Sequence, residues 1–326
     1  MNGQGMKMLD ARSPGPRGGG SAEKQPGVLG RAANWLDARL TIVFLIPGLT
    51  CLFALTLYPV FYNIVISFTN SSLLFPGAAF SGLANYKQVL ADPQFWWSFA
   101  RTLVWTLISV LGQLLIGLVA ALALERVTHG RTALRLALVV PWAFPSIVLA
   151  FSWRFMLDPL YGVTNHLLMI VGLIDAPVAW FGDMNWAMPA VVLMNIWFGF
   201  PFMMVAIIAG LQSIPRDHYE AARVDGASYW QEFRYITLPG LLQVLAALVV
   251  LRTIWVFNNF EFIFLSTGGG PVDVTTTLPL YAFNVGWQQY NIGRMAAVSV
   301  IMIVILMLVL AVYFRILRSA RSRTGG

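Results

Sequence analysis

Five residues of one apolar stretch carry the side chains best suited to handling a polar solute: Arg252, Trp255, Asn258, Asn259 and Glu261. A guanidinium, two amides and a carboxylate can hydrogen-bond polar groups of a solute, and an indole offers a face to its apolar surfaces. Polar side chains inside a membrane-spanning stretch are costly and tend to face a cavity or a partner. Counted at about 1.5 Å per residue from Leu241, Arg252 lies near mid-bilayer and Glu261 near the outer boundary. Arg252 and Asn259 are seven apart and share a helix face, with Trp255 close to it. Glu261 falls on the other side of a regular helix, so Arg252 and Glu261 should not pair within it. The five are expected to line a pathway or its gate. The rival expectation for Arg252 is a carboxylate or carbonyl of a second subunit, and for the asparagines it is helix–helix hydrogen bonding. Gln113 and Asn195 are lesser candidates, more often helix–helix bonds.

Other chemistries find little support. The chain contains no G-x-x-x-x-G-K-[ST] loop to cradle ATP phosphates. No nucleophile–base pair stands out. His129, His166 and His218 are scattered without ligand spacing, and the single cysteine, Cys51, excludes an internal disulfide. The expectation is transport rather than bond-breaking, with no catalytic residue, cofactor or metal on this chain.

The elements that must position these residues are membrane helices. Of 326 residues 58% are hydrophobic and 11% charged, and mean hydropathy is +0.71, against about 25% charged in a soluble domain. The net charge of +7 follows topology rather than a nucleic-acid surface. Residues 1–40, rich in Gly, Pro, Ser and charge, are expected to be a disordered cytoplasmic tail. Six spans are expected, at about 41–68, 99–124, 133–153, 187–210, 241–265 and 295–312. Pro141, Pro145, Pro189 and Pro201 should kink spans three and four. Lys and Arg crowd the N-terminal tail, the 126–135 loop (Arg126, Arg131, Arg135), the 216–234 loop (Arg216, Arg223, Arg234) and the C-terminus (Arg315, Arg318, Arg321, Arg323). The loops 69–98, 157–186 and 266–292 hold only Lys87. By the positive-inside rule both termini and the 216–239 loop are cytoplasmic.

That loop reads EAARVDGASYWQEFRYITLP from Glu220 to Pro239. Asp217 can cap a short helix, Gly226 can end it at positive φ, and Ala227–Arg234 suits a second helix. Pro239 fits the start of the next span. Glu220, Ala221 and Ala222, then Gly226, then Ile236, Leu238 and Pro239 resemble, without departure in spacing, the EAA coupling loop of ABC importer permeases. The resemblance implies a docking surface for a separate ATPase, carried by Glu220, Ala221, Ala222, Asp225, Gly226, Leu238 and Pro239. Phe80 to Tyr86 (FSGLANY) and Thr267 to Pro271 (TGGGP) are similar to segments of the carbohydrate-uptake branch, the maltose and glycerol-3-phosphate permeases, as are Ala179-Trp180 and Trp197 to Phe202.

Together these imply an all-α integral membrane permease, residues 41–318, with its coupling loop at 216–239 and a cytoplasmic tail at 319–326. It would carry a sugar, oligosaccharide or polyol-type solute across a bacterial inner membrane. The resemblance further implies a second homologous permease, two ATP-binding cassette subunits that use ATP and Mg, and an extracytoplasmic solute-binding protein, with lipid around the spans. Amino-acid or peptide import is the alternative within the class, and an ion-coupled secondary transporter the alternative outside it.

Overall fold

The structure is a computed structural model that describes residues 40, 43–75 and 77–324, with side chains to Arg315. The tail expected over 1–40 lies outside the described residues apart from Leu40. The chain forms two compact units that divide at Pro59 and Val60. The division falls inside the first long helix, α1 (Val43–Ser67), which contains a π turn at Phe53–Leu57. Up to Pro59 every described side chain is exposed.

The second unit is helical throughout, its only ladders among the described residues being two isolated bridges, Thr69 to Phe80 and Ser72 to Asn291. After α1 come α2 (Ala84–Ala91), α3 (Pro93–Arg126), α4 (Arg131–Ala143) and α5 (Ser146–Met156). They are followed by α6 (Val163–Ile170), α7 (Ala187–Gln212), α8 (Arg216–Val224), α9 (Tyr229–Phe257), α10 (Glu261–Ser266), α11 (Leu278–Phe283) and α12 (Ile292–Thr324). Among the described residues five helices, α1, α3, α7, α9 and α12, are long and apolar enough to cross a membrane, and α4 with α5 makes a sixth if the bent pair is one span.

Helix α3 is the spine. Asp92 caps it, accepting from Gln94 N at 2.9 Å, and Pro93 occupies its first turn, where a missing N–H costs nothing. It packs chiefly on α7 and then on α9. The core between them holds Trp105, Met194, Met203, Met204, Ile207 and Leu241, all essentially inaccessible. Gly117 lets α3 and α7 touch: a Cβ there would meet Met203 Cβ and the backbone of Phe200 and Met204. Close approach of small residues is how membrane helices gain contact when lipid supplies no hydrophobic drive.

Three expectations are corrected. The kink expected in the third span is a full break: α4 and α5 meet at 95°. Pro145 forces Phe144 into extended backbone (φ −86°, ψ 144°), so the helix must restart. The fifth span does not run to Leu265. It ends at Phe257, because Asn259 Oδ1 accepts from Phe262 N at 3.2 Å and opens α10 as a new helix. The carbonyl of Val256 at that end accepts from Asn259 N at 3.1 Å and also takes Trp105 Nε1 at 2.9 Å. Glu261 is therefore not on the helix of Arg252 at all.

The third correction concerns Pro239, which stands in the first turn of the α-helical stretch Leu238–Phe257 as expected, though that stretch continues an earlier helix rather than beginning one. Helix α9 runs without interruption from Tyr229, and the turn before the proline is a π turn, Phe233–Thr237, closed by Leu238 N to Phe233 O. Widening the turn by one residue gives the ladder room where proline offers no donor.

Candidate functional site

Two regions gather the residues singled out by sequence, and they lie at the two ends of α9. At its C-terminal end is a cavity of about 260 Å³ between α4, α7 and α9. Arg252, 4% exposed, points its Nε at Gln113 Oε1, 2.7 Å away. Gln113 in turn donates from Nε2 to the carbonyl of Asn195 at 2.9 Å. This fixes the amide and leaves the rest of the guanidinium between two aromatic faces, 5.9 Å from the Phe202 ring and 5.7 Å from that of Trp255. Gly199 makes the approach possible, since any Cβ there would collide with Arg252 Nη2 and the Gln113 amide.

The cavity's remaining wall comes from Trp142, Phe198, Val256 and Asn259. Asn195 Nδ2 is buried and has no hydrogen-bond partner. Among the described residues no carboxylate pairs with Arg252. A buried donor left unmade costs about 1–3 kcal/mol, and more for a charge, so this pocket favours a guest rich in oxygen acceptors. Its aromatic walls suit a guest that also has apolar faces.

The structure brings Arg252, Trp255 and Asn259 together and separates the other two. Asn258 turns back to Ile254 O at 2.9 Å and lines a different groove with Phe260, Phe283 and Trp287. Glu261 stands exposed at the head of α10. Gln113 makes the interhelical bond expected of it and holds Arg252, whereas Asn195 takes part through its backbone carbonyl and turns its side chain to the cavity wall without a hydrogen bond from Nδ2. Trp142 and Gly199 were missed. Trp142 lies on α4 just before its break with α5, and Gly199 falls inside the Trp197–Phe202 stretch, where nothing in the spacing marks it as the point of close approach.

At the other end of α9 lies α8. Its N-cap is Pro215, so Asp217 sits in the first turn without capping an N–H. Gly226 takes φ +79°, the conformation expected of it, and Ala227 N closes the turn onto Ala222 O at 2.9 Å. Glu220, Ala221 and Asp225 are exposed, Ala222 is half-buried, and Val224 is 87% exposed. Leu238 is half-buried and Pro239 exposed on α9.

The short helix is fastened to α9 by contacts the sequence did not suggest. Arg223 Nε donates to the buried Glu232 at 2.9 Å, and the Tyr219 and Thr237 hydroxyls are 3.0 Å apart. That hydrogen bond and the charge of Glu232 hold the Arg223 guanidinium above its ordinary pKa. Ser228 N donates to Gln231 Oε1 at 2.6 Å and starts α9.

A further cluster stands where α2 and α3, α11 and α12 meet. Arg294 Nη2 donates to Asp92 Oδ2 and to Tyr281 OH, and Tyr281 OH donates to the same carboxylate at 2.7 Å. Burial, then the bond to Asp92, pushes the Tyr281 phenol from 10.0 up to about 12. The FSGLANY segment also holds structure: Asn85 Nδ2 donates to Ser67 O at 2.9 Å and Thr69 O at 2.8 Å.

Comparison with known proteins adds four findings. Residues 113–322 match the family model described as binding-protein-dependent transport system inner membrane component. The chain is 38% identical over 290 residues to the trehalose/maltose transport system permease protein MalF of Thermococcus litoralis, covering 89% of this chain and 96% of that one. It is also 38% identical over 304 residues, 91% and 96% of the two chains, to the sulfoquinovosyl glycerol transport system permease protein SmoG of Agrobacterium fabrum. Among solved structures, a chain of a bacterial alginate ABC transporter, in complex with an alginate pentasaccharide-bound periplasmic protein, matches with TM-score 0.74 and 25% identity over 86% of this chain and 95% of that one.

Proposed function

The chain belongs to the binding-protein-dependent transport system inner membrane component family, and from that premise we propose that it is the permease subunit of an ATP-driven importer that carries a carbohydrate across the cytoplasmic membrane. The observation that carries the solute class is the Arg252 cavity. It offers a guanidinium without a carboxylate, an orphan amide on Asn195 and the indole faces of Trp142 and Trp255. Hydroxyl groups satisfy the first two and pyranose faces cover the third. The two relatives named for trehalose/maltose and for sulfoquinovosyl glycerol support the same class.

In this reading α8 is the coupling helix. Ala221, Asp225 and Gly226, with Val224 between them, form its accessible side, and Glu220 stands exposed for a basic residue of the ATPase. The ATPase closes on Mg-ATP and displaces α8. The Arg223–Glu232 pair and the Tyr219–Thr237 contact pass that displacement to α9. Helix α9 is continuous to Phe257 and carries Arg252 and Trp255 at its far end, so a motion at Glu220 changes the geometry of the cavity. Leu238 and Pro239, next to the π turn, mark where the transmitted motion enters the span.

A second homologous permease completes the pathway, two ATP-binding cassette subunits supply the hydrolysis, and an extracytoplasmic binding protein delivers the solute. Both termini and α8 face the cytoplasm, in accord with the arginines of the 126–135 and 216–234 loops.

The test is uptake of labelled mono-, di- and oligosaccharides by cells with and without the gene, together with Glu220→Lys and Gly226→Pro variants that reach the membrane. Loss of uptake of one sugar, with loss of the ATPase from the purified variants, is the expected result. Unchanged uptake across the panel removes the carbohydrate assignment, and variants that keep both ATPase and transport remove the coupling role.

A further inference from the structure

A second cleft in the second unit lies away from the Arg252 cavity. It encloses about 760 Å³ where α3 ends and α4 and α8 begin. Its lining is graded. Leu122, Leu211 and Ile214 belong to, or directly follow, the last turns of the spanning helices α3 and α7, and Arg126 stands one turn beyond Leu122. Arg131, Arg216 and Arg223 complete a basic rim.

Two of the four arginines are already paired: Arg131 with Glu125 at 2.7 Å and Arg223 with Glu232 at 2.9 Å. Among the described residues Arg126 and Arg216 have no carboxylate partner. Arg126 is instead held over the Tyr229 ring, 3.7 Å from its centroid, which orients a guanidinium without neutralising it. The third carboxylate of the cleft, Glu220, interacts electrostatically with Arg223.

We propose that this cleft binds the phosphodiester headgroup of an anionic phospholipid from the adjoining leaflet. A guanidinium matches two phosphate oxygens at once, and two unneutralised arginines at the mouth of spanning helices meet that group at its own depth. The leucines and the isoleucine take the glycerol and upper acyl carbons, which a free ion would leave uncovered. Glu220 on the same rim disfavours a doubly charged free phosphate more than a singly charged phosphodiester. The bound lipid would brace the end of α3 against α8, the helix that moves in the proposed cycle. The lipid site needs only the membrane setting and does not depend on which solute is carried.

The test uses the full chain with its partner subunits in phosphatidylcholine bilayers and measures the motionally restricted fraction of spin-labelled phosphatidylglycerol against spin-labelled phosphatidylcholine. Arg126→Gln/Arg216→Gln should lower the preference for phosphatidylglycerol by roughly fivefold per arginine. Arg135→Gln/Arg234→Gln removes the same charge outside the cleft and should leave most of the preference intact. Equal loss in both pairs means general surface attraction and overturns the site, as does absence of any preference in the unaltered protein. Displacement of the labelled lipid by inorganic phosphate overturns the lipid assignment in favour of a free-anion site.

Discussion

Gly199→Ala is the substitution on which the cavity reading stands most exposed. The three atoms a Cβ would strike are Arg252 Nη2 and the amide carbon and nitrogen of Gln113. All belong to the polar network, so the helices need not part; the network must. Displacing it breaks the 2.7 Å bond from Arg252 and the 2.9 Å bond from Gln113 to Asn195. A hydrogen bond to a buried charge is worth about 1.5–3 kcal/mol and a neutral one about 1 kcal/mol. Alanine returns about 1 kcal/mol of helix propensity. The net loss is about 1.5–3 kcal/mol, which as lost solute binding raises the KM of uptake by roughly tenfold to a hundredfold. Gly112→Ala is the control, because its Cβ would meet only Ile196 on the same α3–α7 interface. It should lower the melting temperature of the purified protein and leave KM unchanged. Concentration-dependent uptake of the identified sugar by both variants decides the matter. An unchanged KM in Gly199→Ala, or an equal rise in both, refutes the claim that this network faces the solute.

Arg252→Lys keeps the charge but loses the fork that holds Gln113, and should cut uptake while the protein still assembles, as counted by ATPase retained on purification. Gly226→Ala places a Cβ at φ +79°, costs about 1–2 kcal/mol of local strain, and should weaken ATPase capture; Gly226→Asn should weaken it less. Glu232→Ala releases Arg223 and should leave ATP hydrolysis running with less transport, read as the ratio of the two rates. Tyr281 has a folded pKa above its unfolded one, so the stability it contributes is complete below pH 10.0 and is lost as pH rises toward about 12. Melting curves across that window should flatten in Tyr281→Phe.

The helices were legible where composition alone decides: α7 begins at Ala187 as expected and ends two residues beyond Gly210, because a helix apolar on all sides leaves no choice of environment. The positive φ of Gly226 was legible too, since motif spacing encodes a local turn. The end of the fifth span was not. Phe260, Phe262, Ile263 and Phe264 continue the apolar run, and hydropathy cannot see that one asparagine side chain has restarted the helix. The loop charge count passed over Arg101, Arg154 and Arg294 because they fall inside helices. Arg294 finds Asp92 across 202 residues, and no local pattern carries a contact of that range. In the cavity, Arg252, Trp255 and Asn259 shared a readable face, while Gly199 and Trp142 enter only once α4 bends and α7 closes on α3.

The π turn at Phe233–Thr237 bears on tolerance to insertion and deletion. It accommodates one residue more than an α turn, and each residue turns a helix by about 100°. The π turn absorbs that residue, so Arg252 keeps the azimuth relative to Tyr229 that an α-helix one residue shorter would give it. Deleting one residue from that turn would leave every side chain of the cavity present and the hydropathy of the span intact. The turn would close to an ordinary α turn with Arg252 still on the Gln113 face, whereas the same deletion between Leu241 and Arg252, with no surplus to absorb it, would turn the guanidinium about 100° off that face. Along this helix the cost of losing a residue depends on where it falls.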